Sequence, residues 1–146
     1  MNNKKITLGL IGAGRIGKMH AENILANFPQ VVLKTIVDLE LDFDWAKKVG
    51  IPVKSLEIKT ITGDSEINAV IITTPSNTHV EMIKAMAEAG KNIFCEKPIA
   101  FDPGLIRQAN EAVEKAGVIL QVGFNRRFDP DLLKVRNAVK SGTICG

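Results

Sequence analysis

The amino-acid sequence predicts an α/β fold built on a doubly wound parallel sheet, and three observations carry that expectation. Short apolar runs of strand character alternate with segments of helical periodicity along the whole chain. The first run opens into a glycine-rich turn at residues 12–17, and the second ends on an acidic residue, Asp38. Three later runs end in polar segments, 74–77, 96–98 and 123–127, which such a sheet would gather along one rim.

Taken in order, strands are expected at 6–11, 32–37, 69–73, 92–95 and 119–122, where aliphatic side chains dominate. Helical spacing joins Ile16, His20, Ile24 and Phe28, then Val80, Ile83 and Ala87, then Leu105, Ala109, Ala112 and Ala116. Thr78 and Glu81 are spaced as a capping box, in which hydroxyl and carboxylate each satisfy a free N–H of the first turn. Asp102-Pro103 and Asp129-Pro130 each put an acceptor at the cap and proline at the first helical position, where no N–H is needed. Gly90 and Gly117 are placed to close helices in the left-handed conformation. Residues 39–64 stay open: 44–49 suggest a short helix, Pro52 interrupts, and 53–61 fit a strand, a helix or part of each.

At 146 residues the chain has the size of one domain, large enough to hide roughly 70% of its unfolded surface. Its 45% hydrophobic and 24% charged residues are those of an ordinary globular protein, so disorder is not the default. The net charge of +3 is spread along the chain rather than gathered into a patch, which argues against a nucleic-acid partner. Cys95 in a strand and Cys145 beside the terminus do not form a disulfide framework, and a reducing cytoplasm is expected. Lys4, Lys5 and the apolar run behind them imitate a secretory leader, but Arg15 and Lys18 follow without a cleavage pattern. No apolar run approaches the ~20 residues of a membrane span, and no cluster of metal ligands is visible.

Gly12, Ala13, Gly14, Arg15, Ile16 and Gly17 match G-x-G-x-x-G, a weak pattern alone but here entered by a strand and left by a helix. That is the context of a Rossmann-type dinucleotide site. Gly12 allows the tight turn, Gly14 lets the backbone approach a pyrophosphate, and Gly17 lets helix and strand pack closely. The anion would sit on free N–H groups at the positive end of the helix. Asp38 lies 21 residues after Gly17, where a carboxylate can accept from the adenosine ribose hydroxyls. Leu39 and Glu40 follow it rather than arginine, so NAD is favoured over NADP. The alternative is a structural glycine turn with Asp38 as a solvated strand end.

Three stretches, GLIGAGRIGKMHAENI, AVIITTPSNTHVEMIKAMAEAGKNIFCEKPIA and LQVGFNRRFDP, resemble the glucose-fructose oxidoreductase / inositol dehydrogenase family (Gfo/Idh/MocA), and within it the inositol 2-dehydrogenases. The resemblance covers nearly everything outside 39–64. It implies an NAD(P)-dependent oxidoreductase of sugars and cyclitols, in which residues 1–146 form the cofactor domain and a larger α/β domain would follow. Lys97 would be the family's active-site lysine, near both nicotinamide and reacting hydroxyl. An ammonium there can donate to the substrate oxygen and stabilise developing negative charge. The same lysine, judged by position alone, is a solvated strand end.

The resemblance also places Thr74, Pro75 and Asn77 in a loop beside the cofactor, with Glu96 on the cofactor side. Asn125 and Arg127, with Lys97, would line the substrate side. They equally suit a cofactor phosphate, and Arg126 and Arg127 suit carboxylate pairing at the domain crossover. His79 belongs to the loop motif but reads as a structural or capping residue, as does His20. Family members draw their proton-accepting histidine and a nearby aspartate, spaced D-x-x-x-H, from the second domain, so this chain alone is expected to be inactive. Its last residues, SGTICG, resemble the junction into that domain. Two other readings stay open, a standalone NAD-binding module and a methyltransferase-like user of the glycine turn, though Lys97 and GFNRRFDP argue against the latter. The implied partner is a small polyol or sugar, and a homo-oligomer is left open.

Overall fold

A computed structural model describes residues 5–144; Cys145 and Lys4 lie outside them. Among the described residues, six strands form one all-parallel sheet in the order β3-β2-β1-β4-β5-β6. They are β1 (Ile6–Ile11), β2 (Val31–Val37), β3 (Val53–Ser55), β4 (Ala69–Ile72), β5 (Asn92–Cys95) and β6 (Leu120–Val122). The helices are α1 (Arg15–Asn27), α2 (Phe43–Lys48), α3 (Lys59–Thr62), α4 (His79–Glu88), α5 (Pro103–Ala116) and α6 (Pro130–Lys140). Because the chain runs outward from β1 to β3 and then returns to start β4 beside β1, strand order reverses between β1 and β4. In sheets of this kind, that reversal is where a ligand crevice is expected, at the carboxyl ends of the strands.

The alternation of side chains along each strand splits the core between two faces. Leu10 of β1, Ile36 of β2 and Ile71 of β4 pack with Ala21 of α1 and Ala46 of α2. Ile11, Val37, Val70 and Ile72 turn to the other face, against Ile61 of α3, the α4 residues Val80, Ile83, Met86 and Ala87, and Ala109 and Val113 of α5. Strands covered on both faces need no polar alternation, which is why β4 reads as an unbroken AVII. On α1 the fully buried positions are Gly17 and Ala21, with Ile16, His20 and Ile24 only half buried. The helix lies so close to the sheet that small residues make its contact line.

The open stretch resolves into both kinds of structure at lengths too short to show a period. Asp42 caps α2 by accepting from Trp45 N at 2.9 Å, Pro52 precedes the three residues of β3, and α3 is a single turn. Ile51 and Ile61, both essentially inaccessible, pin this segment to the core. Asp102 caps α5 by accepting from Gly104 N at 2.6 Å, and Asp129 caps α6 by accepting from Asp131 N and Leu132 N at 2.9 and 3.0 Å. Gly117 at φ 67° and Gly90 at φ 70° close α5 and α4 as expected. Among the described residues no helix is long and apolar enough to cross a membrane.

The capping box at Thr78 and Glu81 is not formed. A 3-10 turn, Ser76–Thr78, feeds directly into α4 and places Thr78 in helical backbone conformation. Its hydroxyl therefore points back into the loop, bonded to Thr74 Oγ1 at 2.7 Å and Pro75 O at 2.8 Å, instead of capping the helix. Glu81 is left on the surface, 3.5 Å from Lys84. Glu81→Ala should then shift the unfolding free energy by less than about 0.5 kcal/mol, where loss of a working cap costs ~1 kcal/mol. Urea denaturation of the two proteins measures the difference.

Candidate dinucleotide site and lysine rim

The glycine turn is built by close approach. Gly12 has φ 95° and its N–H donates to Val37 O at 2.8 Å. A Cβ on Gly12 would lie 2.7 Å from backbone atoms of Thr73 and Thr74, and one on Gly17 would lie 2.0 Å from the Gly12 carbonyl oxygen. Thr73 seals the turn by donating its hydroxyl to Gly12 O at 2.7 Å. Thr73 was not among the residues singled out from sequence, and its only signal there is a hydroxyl at the end of an otherwise aliphatic strand.

Gly14 is different. It caps α1 in extended conformation, and among the described residues no side chain caps the helix and no atom beyond its own chain neighbours lies within 4 Å of where its Cβ would be. Open space over the uncapped positive end of a helix is what a pyrophosphate needs, so the residues fit the group. Ala13 is buried beneath the turn, Ile16 is half buried and Arg15 is exposed at its edge.

Asp38 joins the turn directly. One carboxylate oxygen accepts from Ala13 N, and the other accepts from Glu40 N at 2.8 Å. Lys18 reaches the segment after β2, but its ammonium is held by Asp42 at 2.7 Å, and that pairing keeps the Asp42 carboxyl below the usual carboxylate range.

On the other side of the switch point, residues 74–77 leave β4 through the 3-10 turn, with Pro75 and Asn77 exposed. The Glu96-Lys97-Pro98 segment leaves β5, with a cis bond between Lys97 and Pro98. Lys97 is exposed and, with Phe124, Asn125, Arg126 and Arg127, lines a cleft of about 610 Å³. The structure thus brings Lys97, Asn125 and Arg127 together. A larger hollow of about 750 Å³ lies against the α1 face of the sheet, lined by Ile6, Leu8, Ile93 and Phe94 among others. It is lined mostly by apolar side chains and by none of the rim segments 74–77, 96–98 and 123–127, so the smaller cleft is the better candidate for chemistry.

The Glu96 carboxylate turns inward. Oε1 lies 2.9 Å from His20 Nε2, Oε2 accepts from Lys97 N at 3.2 Å, and a Cβ on Gly123 would come within 3.2 Å of it. His79, one of the few buried polar residues, has Nδ1 2.7 Å from Pro98 O and Nε2 2.8 Å from Thr74 O. Cys95 is fully buried, and burial, with the Glu96 charge second, pushes its thiol from 9.0 up to about 12.

Residues 6–124 match the family described as an oxidoreductase family with an NAD-binding Rossmann fold, Gfo/Idh/MocA. The chain belongs to the Gfo/Idh/MocA oxidoreductase family. Among its Gfo/Idh/MocA relatives, the inositol 2-dehydrogenase of Rhizobium meliloti is 40% identical over 142 residues, covering 95% of this chain and 42% of that protein. The myo-inositol 2-dehydrogenase of Thermotoga maritima is 38% identical over 139 residues, covering 94% and 41%. The crystal structure of scyllo-inositol dehydrogenase from Lactobacillus casei, with bound NAD(H) and scyllo-inositol, superposes at TM-score 0.88 and 33% identity, over 97% of this chain and 42% of that one. The chain therefore spans about two fifths of the length of these relatives.

Two outcomes follow from this geometry. Gly17→Ala forces α1 off β1 and should cost about 3 kcal/mol or more, whereas Gly14→Ala should leave stability within ~1 kcal/mol yet weaken NADH binding at least about tenfold. Thermal melts and calorimetric titration separate the two. Cys95 stays a neutral thiol well into the alkaline range, and only the thiolate is nucleophilic. In a Cys145→Ser background, an alkylating reagent at about pH 9 should leave folded protein unmodified and label it on unfolding, as read by mass spectrometry.

Proposed function

We propose that these 146 residues form the cofactor half of an NAD-dependent dehydrogenase acting on a cyclitol or sugar hydroxyl, most similar to inositol 2-dehydrogenases. The observation that carries it is Lys97 at the mouth of a donor-rich cleft, on the same rim as an open glycine turn. When bound, NAD supplies the acceptor for the hydride that leaves the carbinol carbon.

The chain's own residues do the rest of the work available on this rim. The N–H groups around Gly14 take the pyrophosphate, and Asp38 exchanges its bond to Ala13 N for the ribose hydroxyls. Thr74, Pro75, Asn77 and Glu96 border the nicotinamide end. Lys97 donates to the reacting oxygen as its proton leaves, while Asn125 and Arg127 hold neighbouring hydroxyls of the polyol. The hydroxyl proton goes to a base outside these 146 residues, in keeping with the D-x-x-x-H pair that the resemblance assigns to a second domain. A free, buried Cys95 fits a reducing cytoplasm.

The chain should bind NADH more tightly than NADPH, because a 2′-phosphate beside Asp38 and Glu40 meets negative charge. Titration with both cofactors tests this, and Asp38→Ala should narrow the gap; tighter NADPH binding would overturn the assignment. With saturating NAD and myo-inositol, the 146 residues alone should form no NADH at a useful rate, since hydride transfer needs substrate and base held together. Joined to the second domain, Lys97→Met should lower turnover by at least about 10²-fold.

A further inference from the structure

Two histidines reach the lysine segment from opposite faces of the sheet. His20 is on α1, whose Ala21 packs with Leu10 and Ile71, and His79 begins α4, whose Ile83 packs with Ile72 and Ile93 on the other face. His20 holds the residue before Lys97, through Glu96 Oε1 at 2.9 Å, and its ring rests edge-on against Phe94 with centroids 5.4 Å apart. His79 holds the residue after Lys97, through Pro98 O at 2.7 Å. The second nitrogen of His79 lies 2.8 Å from Thr74 O, at the start of the loop that leaves β4.

From this arrangement we infer that His79 is a positioning residue, which sets the distance between the 74–77 loop and Lys97 and so the placement of the nicotinamide between them. The inference rests on the reading of that loop and lysine as the nicotinamide end of the site. Both carbonyls it holds lie past the last ladder residues of their strands, Ile72 and Cys95, where backbone pairing no longer fixes the chain. His79 is 1% exposed, and a leucine there would carry none of the desolvation cost of an imidazole. Both partners are carbonyl oxygens, so holding the two at once takes an N–H on each ring nitrogen, as in the doubly protonated ring: two donors in one rigid frame, one for each segment, which leucine cannot give. The tie is also local: the phosphate-binding turn is held by Thr73 and Asp38, not by His79.

The test compares NADH with ADP-ribose, which has the same adenosine and pyrophosphate but no nicotinamide. In the wild-type chain NADH should bind more tightly than ADP-ribose. His79→Leu removes both ties, His79→Asn places an amide near Nδ1 and keeps the Pro98 tie, and His79→Gln reaches toward Nε2 and keeps the Thr74 tie. ADP-ribose affinity should stay within about twofold throughout, while NADH affinity falls about tenfold in the Leu variant and at least about threefold in each of the Asn and Gln variants, since each of these leaves one segment untied. Should the Leu variant fail to fold, the Asn and Gln pair makes the same comparison. An unchanged NADH to ADP-ribose ratio in the Asn variant, or parallel loss of both ligands, overturns the role of His79 and leaves the cofactor reading standing. A wild-type ratio of one overturns it as well. No binding of ADP-ribose to the wild type removes the cofactor reading and the inference together.

Discussion

Everything on the carboxyl rim depends on how closely α1 lies against the end of β1. The Gly12 carbonyl oxygen occupies the space that a side chain on residue 17 would need, 2.0 Å from its Cβ position. That contact sets the angle at which the helix leaves the turn, and the angle aims its uncapped N–H groups at open space over Gly14. The same contact carries Ala21 against Leu10 and puts His20 over Phe94, within reach of Glu96. A phosphate site and one side of the lysine support therefore share a single steric origin.

Much of this was legible in the sequence because the central strands announce themselves. AVII in β4 and the IFC of β5 are apolar without polar alternation, as in strands covered on both faces, and the glycine turn sits directly after a strand. The middle segment was not legible for a physical reason: with three to six residues per element, neither a period of two nor of 3.6 repeats enough to be seen. Its place is fixed by single anchors such as Ile51 and Ile61, which contacts distant in sequence select.

The misread cap at Thr78 is of another kind. Threonine and glutamate three apart describe a capping box only if the chain arrives extended, and here it arrives already turning, so the hydroxyl finds the loop first. His79 and Glu96 share that lesson. Their identities were visible in the sequence, but what a buried imidazole holds is settled by which carbonyls lie on either side of it, and those come from residues 5 and 19 positions away.

The sheet also ends gently on both sides. β3 and β6, its outermost strands, are three residues long each, so little backbone is left unpaired at either margin. A stray extended peptide can form only a bond or two there before it runs into helix or turn, too few to offset the entropy of ordering it. Brevity at the edges thus works as insulation: each margin offers an incoming strand little backbone to pair with.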